Sequence, residues 1–273
     1  MSYKELLVVL APEAKTVGPY AASVAKFFGA QTRAAAIAID PAIPSYVIPE
    51  MPSDVLDQAR AASREEAQAR LNAYEAQAAE AGVAVDGFML QGMMDRTAIQ
   101  LERLARYYDL TVIEQPGEDR EKGGPLFVEA ILFGSGRPML VVPYIQREAM
   151  KLDKVIVAWD ESATAAKAVT AAMPLLEKAG KVEVVGVSTG AEAERTRGER
   201  LARVLGSHGI TAESRMLTNV GSVSDTILSH AADNGADLIV MGGYGHSRMR
   251  ELVLGGATRG ILASMTVPVL MTH

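Results

Sequence analysis

Cysteine is absent from all 273 residues, which excludes disulfides, thiolate metal sites and a cysteine nucleophile. Aromatic residues make up only 5% of the chain, and the 27 Lys and Arg are outnumbered by 33 Asp and Glu. The formal charge of -6 supplies no clustered basic surface, so a nucleic-acid partner is not expected. Long apolar runs are missing as well. The first one, Leu6 to Ala11, stops at Pro12 and Glu13, too short for a signal peptide or a membrane span, and a cytoplasmic protein without a membrane partner is expected. The histidines His208, His230, His246 and His273 have no metal-ligand spacing. A Gly-x-Ser-x-Gly elbow, a Walker-type Gly-x-x-x-x-Gly-Lys and a Gly-x-Gly-x-x-Gly are all lacking.

What is present is apolar material, at 49% of residues, enough for one large or two ordinary globular domains. The chain reads as two related halves. Leu6-Leu7-Val8-Val9-Leu10-Ala11 matches Lys154-Val155-Ile156-Val157-Ala158-Trp159. Asp109-Leu110-Thr111-Val112-Ile113 matches Asp237-Leu238-Ile239-Val240-Met241, and Arg137 to Pro143 matches Val267 to Thr272, in the same order. Such continuous β-rich runs suit strands covered on both faces. The join falls around Gln146 to Lys151, giving domains 1–148 and 149–273.

Helical patterns separate these strands. From Ser53 to Ala81, Val55, Leu56, Ala59, Ala67, Leu71, Tyr74 and Ala78 recur mostly at three- and four-residue steps, with Ser53 placed to cap and Gly82 to stop the helix. In the second half, helices are expected over Ala163 to Lys178, with Pro174 inside, over Ala191 to Leu205, and over Ser222 to Asn234. The alternation predicts an α/β fold of two tandem open-sheet domains, each a mainly parallel five-stranded sheet with helices on both faces.

The stretch after the strand Asp237 to Met241 carries the candidate site. Ligands of open α/β sheets bind at the carboxyl edge of the strands. Gly242 and Gly245 would let the turn take positive φ and aim N–H groups inward, while Gly255, Gly256 and Ala257 would open a helix whose N-terminus favours an anion. Glycines there also serve tight turns and close helix packing.

With this loop and the repeat, the chain resembles a tandem universal stress protein. That family's motif is Gly, two residues, Gly, nine residues, Gly, then Ser or Thr. Gly242, Gly245 and Gly255 match its spacing, and Gly256 stands where the hydroxyl residue belongs. The resemblance implies a cytoplasmic stress-response protein binding ATP or a related adenine nucleotide, with or without Mg²⁺, in its second domain. It implies phosphates wrapped by the glycines and following amides, adenine met by Asp160, and a main-chain contact at Val187. Loss of the hydroxyl at Gly256 removes one hydrogen bond, worth about 0.5–1.5 kcal/mol, and Thr258 is the nearest replacement. His246 sits beside this cradle, either touching a phosphate or as a solvated loop residue, and Arg248, Arg250 and Arg259 are candidates to balance phosphate charge, with solvent or a neighbouring subunit the alternative for Arg248 and Arg250. Any ATPase activity is expected to be slow or incidental, for want of a base or nucleophile. The alternatives are a nucleotide-free interaction or scaffold protein on the same fold, and a slow ATP hydrolase.

The first half lacks this equipment. Pro12 stands where Asp160 is expected, and the acidic run Glu118, Asp119 and Glu121 follows the fourth strand. Gly134-Ser135-Gly136 reads as a helix stop. A degenerate domain is expected, acting as a built-in dimer partner by pairing of the final strands, with a homodimer of whole chains also open.

Overall fold

The computed structural model describes residues 2–41, 53–117, 123–188, 195–244 and 256–273. The first half runs β1 (Glu5–Leu10), α1 (Val17–Phe28), β2 (Gln31–Ile39), α2 (Ser53–Ala81), β3 (Val85–Gly92), α3 (Met94–Ala105), β4 (Leu110–Glu114), α4 (Gly124–Gly134) and β5 (Met139–Val142). The second repeats it as β6 (Lys154–Ala158), α5 (Ala163–Leu176), β7 (Lys181–Ser188), α6 (Arg195–Ser207), β8 (Ala212–Thr218), α7 (Val223–Asp233), β9 (Leu238–Gly242), α8 (Gly256–Ser264) and β10 (Val269–Thr272).

Among the described residues the ten strands form one sheet in the order β3-β2-β1-β4-β5-β10-β9-β6-β7-β8. Each half is a five-stranded parallel sheet of identical order, and the two meet at the antiparallel pair of β5 and β10, where Leu140 faces Leu270. Because this one junction is antiparallel, the carboxyl edges of the two half-sheets lie on opposite sides. Two apolar cores cover the sheet, and both run through the two halves. One is built with α1, α2, α5 and α6, the other with α3, α4, α7 and α8. Strands buried on both faces explain the unbroken apolar runs. In α2, Ala67, Leu71, Tyr74 and Ala78 are the buried stripe of a helix otherwise turned largely to solvent.

Equivalent hydrogen bonds fix the repeat residue by residue. Asp109 N donates to Glu5 O at 3.0 Å, and Asp237 N to Lys154 O at 2.9 Å. Their carboxylates repeat the match, Asp109 accepting from Lys4 N and Glu5 N, Asp237 from Lys154 N. Gln31 N bonds Lys4 O as Lys181 N bonds Asp153 O, and Gln115 N bonds Val142 O as Gly243 N bonds Thr272 O. Glu5 therefore corresponds to Lys154, Gln31 to Lys181, and Glu114 to Gly242. Counting from these anchors, Ala11 stands opposite Asp160, not Pro12 as the sequence suggested; the strand ends are set by the aspartate clamps, which composition does not reveal. Ile37 stands opposite Val187.

Across the halves, Tyr3 Oη donates to Ala171 O at 2.6 Å, Met150 N to Ser23 Oγ at 2.8 Å, and the buried Gln115 Nε2 to Leu262 O at 2.9 Å. The Glu183 carboxylate, 3% exposed within β7, is held by Lys154 Nζ at 3.0 Å, Arg215 Nε at 2.6 Å and His230 Nε2 at 3.2 Å. Burial alone would raise its pKa, but the hydrogen bonds and charges of Lys154 and His230 together outweigh it and hold the carboxyl below its usual range. Sequence reading missed this cluster, although a lone Glu inside Val182 to Val187 was its signal.

Candidate functional site

In the second half the chain moves outward from β6 to β7 and β8, then returns to the other side for β9 and β10. The strand order reverses between β6 and β9, so their carboxyl ends border the crevice where open α/β sheets take ligands. Asp160, Val187 and Gly242 all lie on this edge, following β6, next to last in β7 and ending β9.

Asp160 is exposed, and its Oδ1 accepts from Ser162 N at 2.9 Å. Ser162 caps α5, its Oγ accepting from Ala165 N at 3.1 Å. Between them Glu161 takes a left-handed φ of 62° and pairs with Arg197 Nε of α6 at 3.1 Å. Sequence reading gave no sign of this brace. Trp159 packs against the core, as a strand-end aromatic does, and its N–H meets Val185 O at 2.9 Å. That bond closes the β6–β7 ladder, and since successive carbonyls alternate sides, the next one facing β6 is that of Val187. The Val187 side chain is half-buried and packs against the second core.

Gly242 does not take positive φ; among the described residues of this turn the left-handed one is Tyr244, with φ 55°. The reason for glycine at 242 is contact, because a Cβ there would lie 2.5 Å from Ala165 N and 2.6 Å from Thr164 Oγ1. At Gly243 a Cβ would meet Leu132 of α4 at 2.9 Å, tying the turn to the first half. The Tyr244 ring sits 4.8 Å from Phe133, and burial, with Glu129 nearby, raises its hydroxyl pKa to about 12.

Helix α8 starts beyond. Gly256 is exposed with open space around a Cβ, Ala257 is half-buried, and Thr258 is 3% exposed with its hydroxyl accepting from Tyr244 N at 3.0 Å. The Thr258 hydroxyl is thus taken up by the Tyr244 backbone rather than standing in for one at Gly256. Gly245, Gly255, His246, Arg248, Arg250 and the run Glu118 to Glu121 lie outside the described residues. Arg259 is exposed on α8. A separate cleft of about 700 Å³ opens between α4 and α8, with Gln115, Leu126, Tyr144 and Arg259 among its walls. Asp160, Val187 and Gly242 do not line it, so the candidate edge owes nothing to it.

A doubly covered parallel sheet whose order reverses beside a glycine-ended strand is an open α/β fold, in which ligands are generally taken at the reversal. The sequence profile of the universal stress protein family matches residues 151–273. The C-terminal half belongs to that family. A universal stress protein of Synechocystis sp. is 29% identical over 181 residues, covering 62% of this chain and 60% of that protein, so the match spans less than two thirds of the relative. Among solved structures, a universal stress protein from Archaeoglobus fulgidus superposes with a TM-score of 0.75 at 18% identity, covering 100% of this chain and 99% of that one. A functionally unknown protein from Pseudomonas aeruginosa gives 0.61 at 14% identity, over 99% of this chain and 92% of its own. At those identities the likeness is one of fold. Among the described residues no helix is long and apolar enough to cross a membrane, and no cluster of His, Asp and Glu could hold a metal ion.

Proposed function

We propose that the second domain, taken as residues 149–273, binds ATP or a related adenine nucleotide, and that occupancy acts as a conformational or partner-binding signal in a cytoplasmic stress-response protein. The observation that carries this is the convergence of Asp160, Val187 and Gly242 on one switch-point edge, beside the open start of α8. The described residues fit such a ligand. The Asp160 carboxylate and the Val187 carbonyl are acceptors for an adenine amino group, and the amides of Gly256 and Ala257 are donors at a helix N-terminus, suited to phosphate. Mg²⁺ would arrive with the nucleotide. The role read here is binding, with any hydrolysis slow or incidental. The first domain, residues 1–148, acts as the built-in partner, and association of whole chains into a homodimer is compatible with this arrangement.

A nucleotide-free scaffold is the second reading, favoured by the missing hydroxyl at Gly256 and by the Asp160 carboxylate already engaged with Ser162 N. Calorimetric titration of ATP into the wild type, Asp160→Ala and Gly245→Val separates the two. Binding weakened by the first substitution and abolished by the second supports the nucleotide site; no heat at millimolar ATP, with no copurifying nucleotide, rejects it. Mass spectrometry for AMP or pyrophosphate after incubation with ATP and Mg²⁺ tests for an enzyme of the wider adenine-nucleotide α-hydrolase-like group.

A further inference from the structure

The pseudo-symmetry of the sheet allows the first half's switch point, between β1 and β4, to be set against that of the second. Where the second half ends β9 with Gly242, the first ends β4 with Glu114, which is 8% exposed. Its Oε2 accepts from Lys15 N at 2.8 Å, Thr16 N at 2.6 Å and Val17 N at 2.9 Å, with Thr16 Oγ1 at 2.9 Å. These are the amides that open α1, the place on a helix most favourable to an anion. The connection lengths explain the contrast. Six residues, 11–16, join β1 to α1 and leave room for a carboxylate, whereas four, 159–162, join β6 to α5 and bring that helix against Gly242.

The base side shows the same exchange. Opposite Val187 stands Ile37, whose carbonyl accepts from Arg70 of α2 at 2.7 Å, while a second guanidinium nitrogen of Arg70 lies 3.4 Å from Pro12 O. Opposite Asp160 stands Ala11, without a carboxylate. Among the described residues no side chain reaches the Val187 carbonyl in this way.

We propose that the first half's switch point is filled by its own side chains: the Glu114 carboxylate occupies the crevice on the amides of α1, the counterpart of α5 rather than of α8, and the Arg70 guanidinium takes the part of a ligand's amino donor on the second strand. The first half is thereby held permanently in a filled state, and the chain takes one nucleotide, in the second half. The stoichiometry rests on the nucleotide reading of the second half; the self-occupancy does not.

Acetate has the size and charge of the group that Glu114→Ala removes, so it is the probe. The thermal midpoint of Glu114→Ala is expected to fall by about 5 °C or more, because buried N–H groups lose their acceptor. Replacing 100 mM sodium chloride by 100 mM sodium acetate should recover at least a third of that loss in the variant, beyond any change in the wild type. Arg70→Ala should also lower the midpoint, without acetate recovery. Should Glu114→Ala not fold, Glu114→Gln, which keeps the shape and removes the charge, serves in its place and is expected to be less stable than wild type. A Glu114 variant as stable as wild type, or a folded Glu114→Ala no more responsive to acetate than wild type, overturns the self-occupancy. In calorimetry, one ATP per wild-type chain is expected. Two sites overturn the inference, while no binding together with acetate recovery overturns only the nucleotide reading and leaves the filled first half standing.

Discussion

Replacing Gly242 by alanine tests why β9 ends in glycine. The added Cβ would stand 2.5 Å from Ala165 N, 2.6 Å from Thr164 Oγ1 and 2.7 Å from Thr164 C, whereas real Cβ contacts essentially never fall below 3.0 Å. Two of the three obstacles are backbone, so no rotamer change relieves them, and the first turn of α5 has to retreat by at least about 0.5 Å. That turn holds the Ser162 cap and the Asp160 loop, which must follow it. Overpacking of this kind costs about 1–3 kcal/mol, and alanine's lower unfolded-state entropy returns up to about 1 kcal/mol. A net loss of about 1–2 kcal/mol, the middle of that range, corresponds at about 2–4 °C per kcal/mol to a midpoint lower by roughly 2–8 °C. Urea unfolding should show a lower midpoint concentration at unchanged slope. Gly256→Ala is the control, since a Cβ there meets nothing within 4 Å, and its midpoint should stay within about 1 °C of wild type or rise. If Gly242→Ala is no less stable than Gly256→Ala, close approach is not the reason for the glycine and the account of this strand end is wrong.

Three further outcomes are expected. Gly256→Ser fits the open space and supplies a hydroxyl at the start of α8, so ATP affinity measured by calorimetry should rise about two- to ten-fold, equivalent to about 0.5–1.5 kcal/mol; unchanged affinity means that the hydroxyl does not face the ligand. Thr258→Val deprives the Tyr244 amide of its acceptor and should cost about 1–3 kcal/mol in denaturant unfolding, with Thr258→Ser restoring most of it. Glu183→Gln should cost about 3 kcal/mol at pH 7, near the low end for a broken buried ion pair because Lys154 and Arg215 keep contact with water. The folded-state pKa of Glu183 lies below its ordinary value of 4.5, so its contribution is complete above that pH and is lost as pH falls through the depressed value; the gap between variant and wild type should close under acid, and a gap independent of pH counts against the carboxylate's charge.

Much of the architecture was legible because the strands of this sheet are buried on both faces and separated by helices with clear stops. The span Ser53 to Ala81 and the order of the strand matches between halves came directly from such patterns, with the first match displaced by one residue. The described part of the helix expected from Ala191 runs from Arg195 to Ser207. What escaped were interactions whose partners are distant in sequence. Glu114 finds its donors about a hundred residues earlier, and Arg70 reaches Ile37 from the next helix, so neither shows in a local pattern. The equivalence of Asp160 with Ala11 rather than Pro12 depends on hydrogen-bond anchors at the far ends of the strands. Gly242 was singled out for φ and is needed for contact, while the left-handed φ fell on Tyr244, anchored by Phe133 and Thr258. That the candidate site lies at the carboxyl ends of the strands was legible from the alternation and the motif; the strand order and the roles of individual atoms were not.

The antiparallel pairing of β5 and β10 has a consequence in mass action. Two separate domains meeting at this strand pair and its shared apolar cores would dissociate on dilution, but here residues 143–153 join them covalently. The pairing is intramolecular, at an effective concentration on the order of millimolar for a short link, whatever the amount of protein. The composite sheet therefore persists at the lowest concentrations in a cell, and the share of the thermal midpoint due to this junction is independent of dilution.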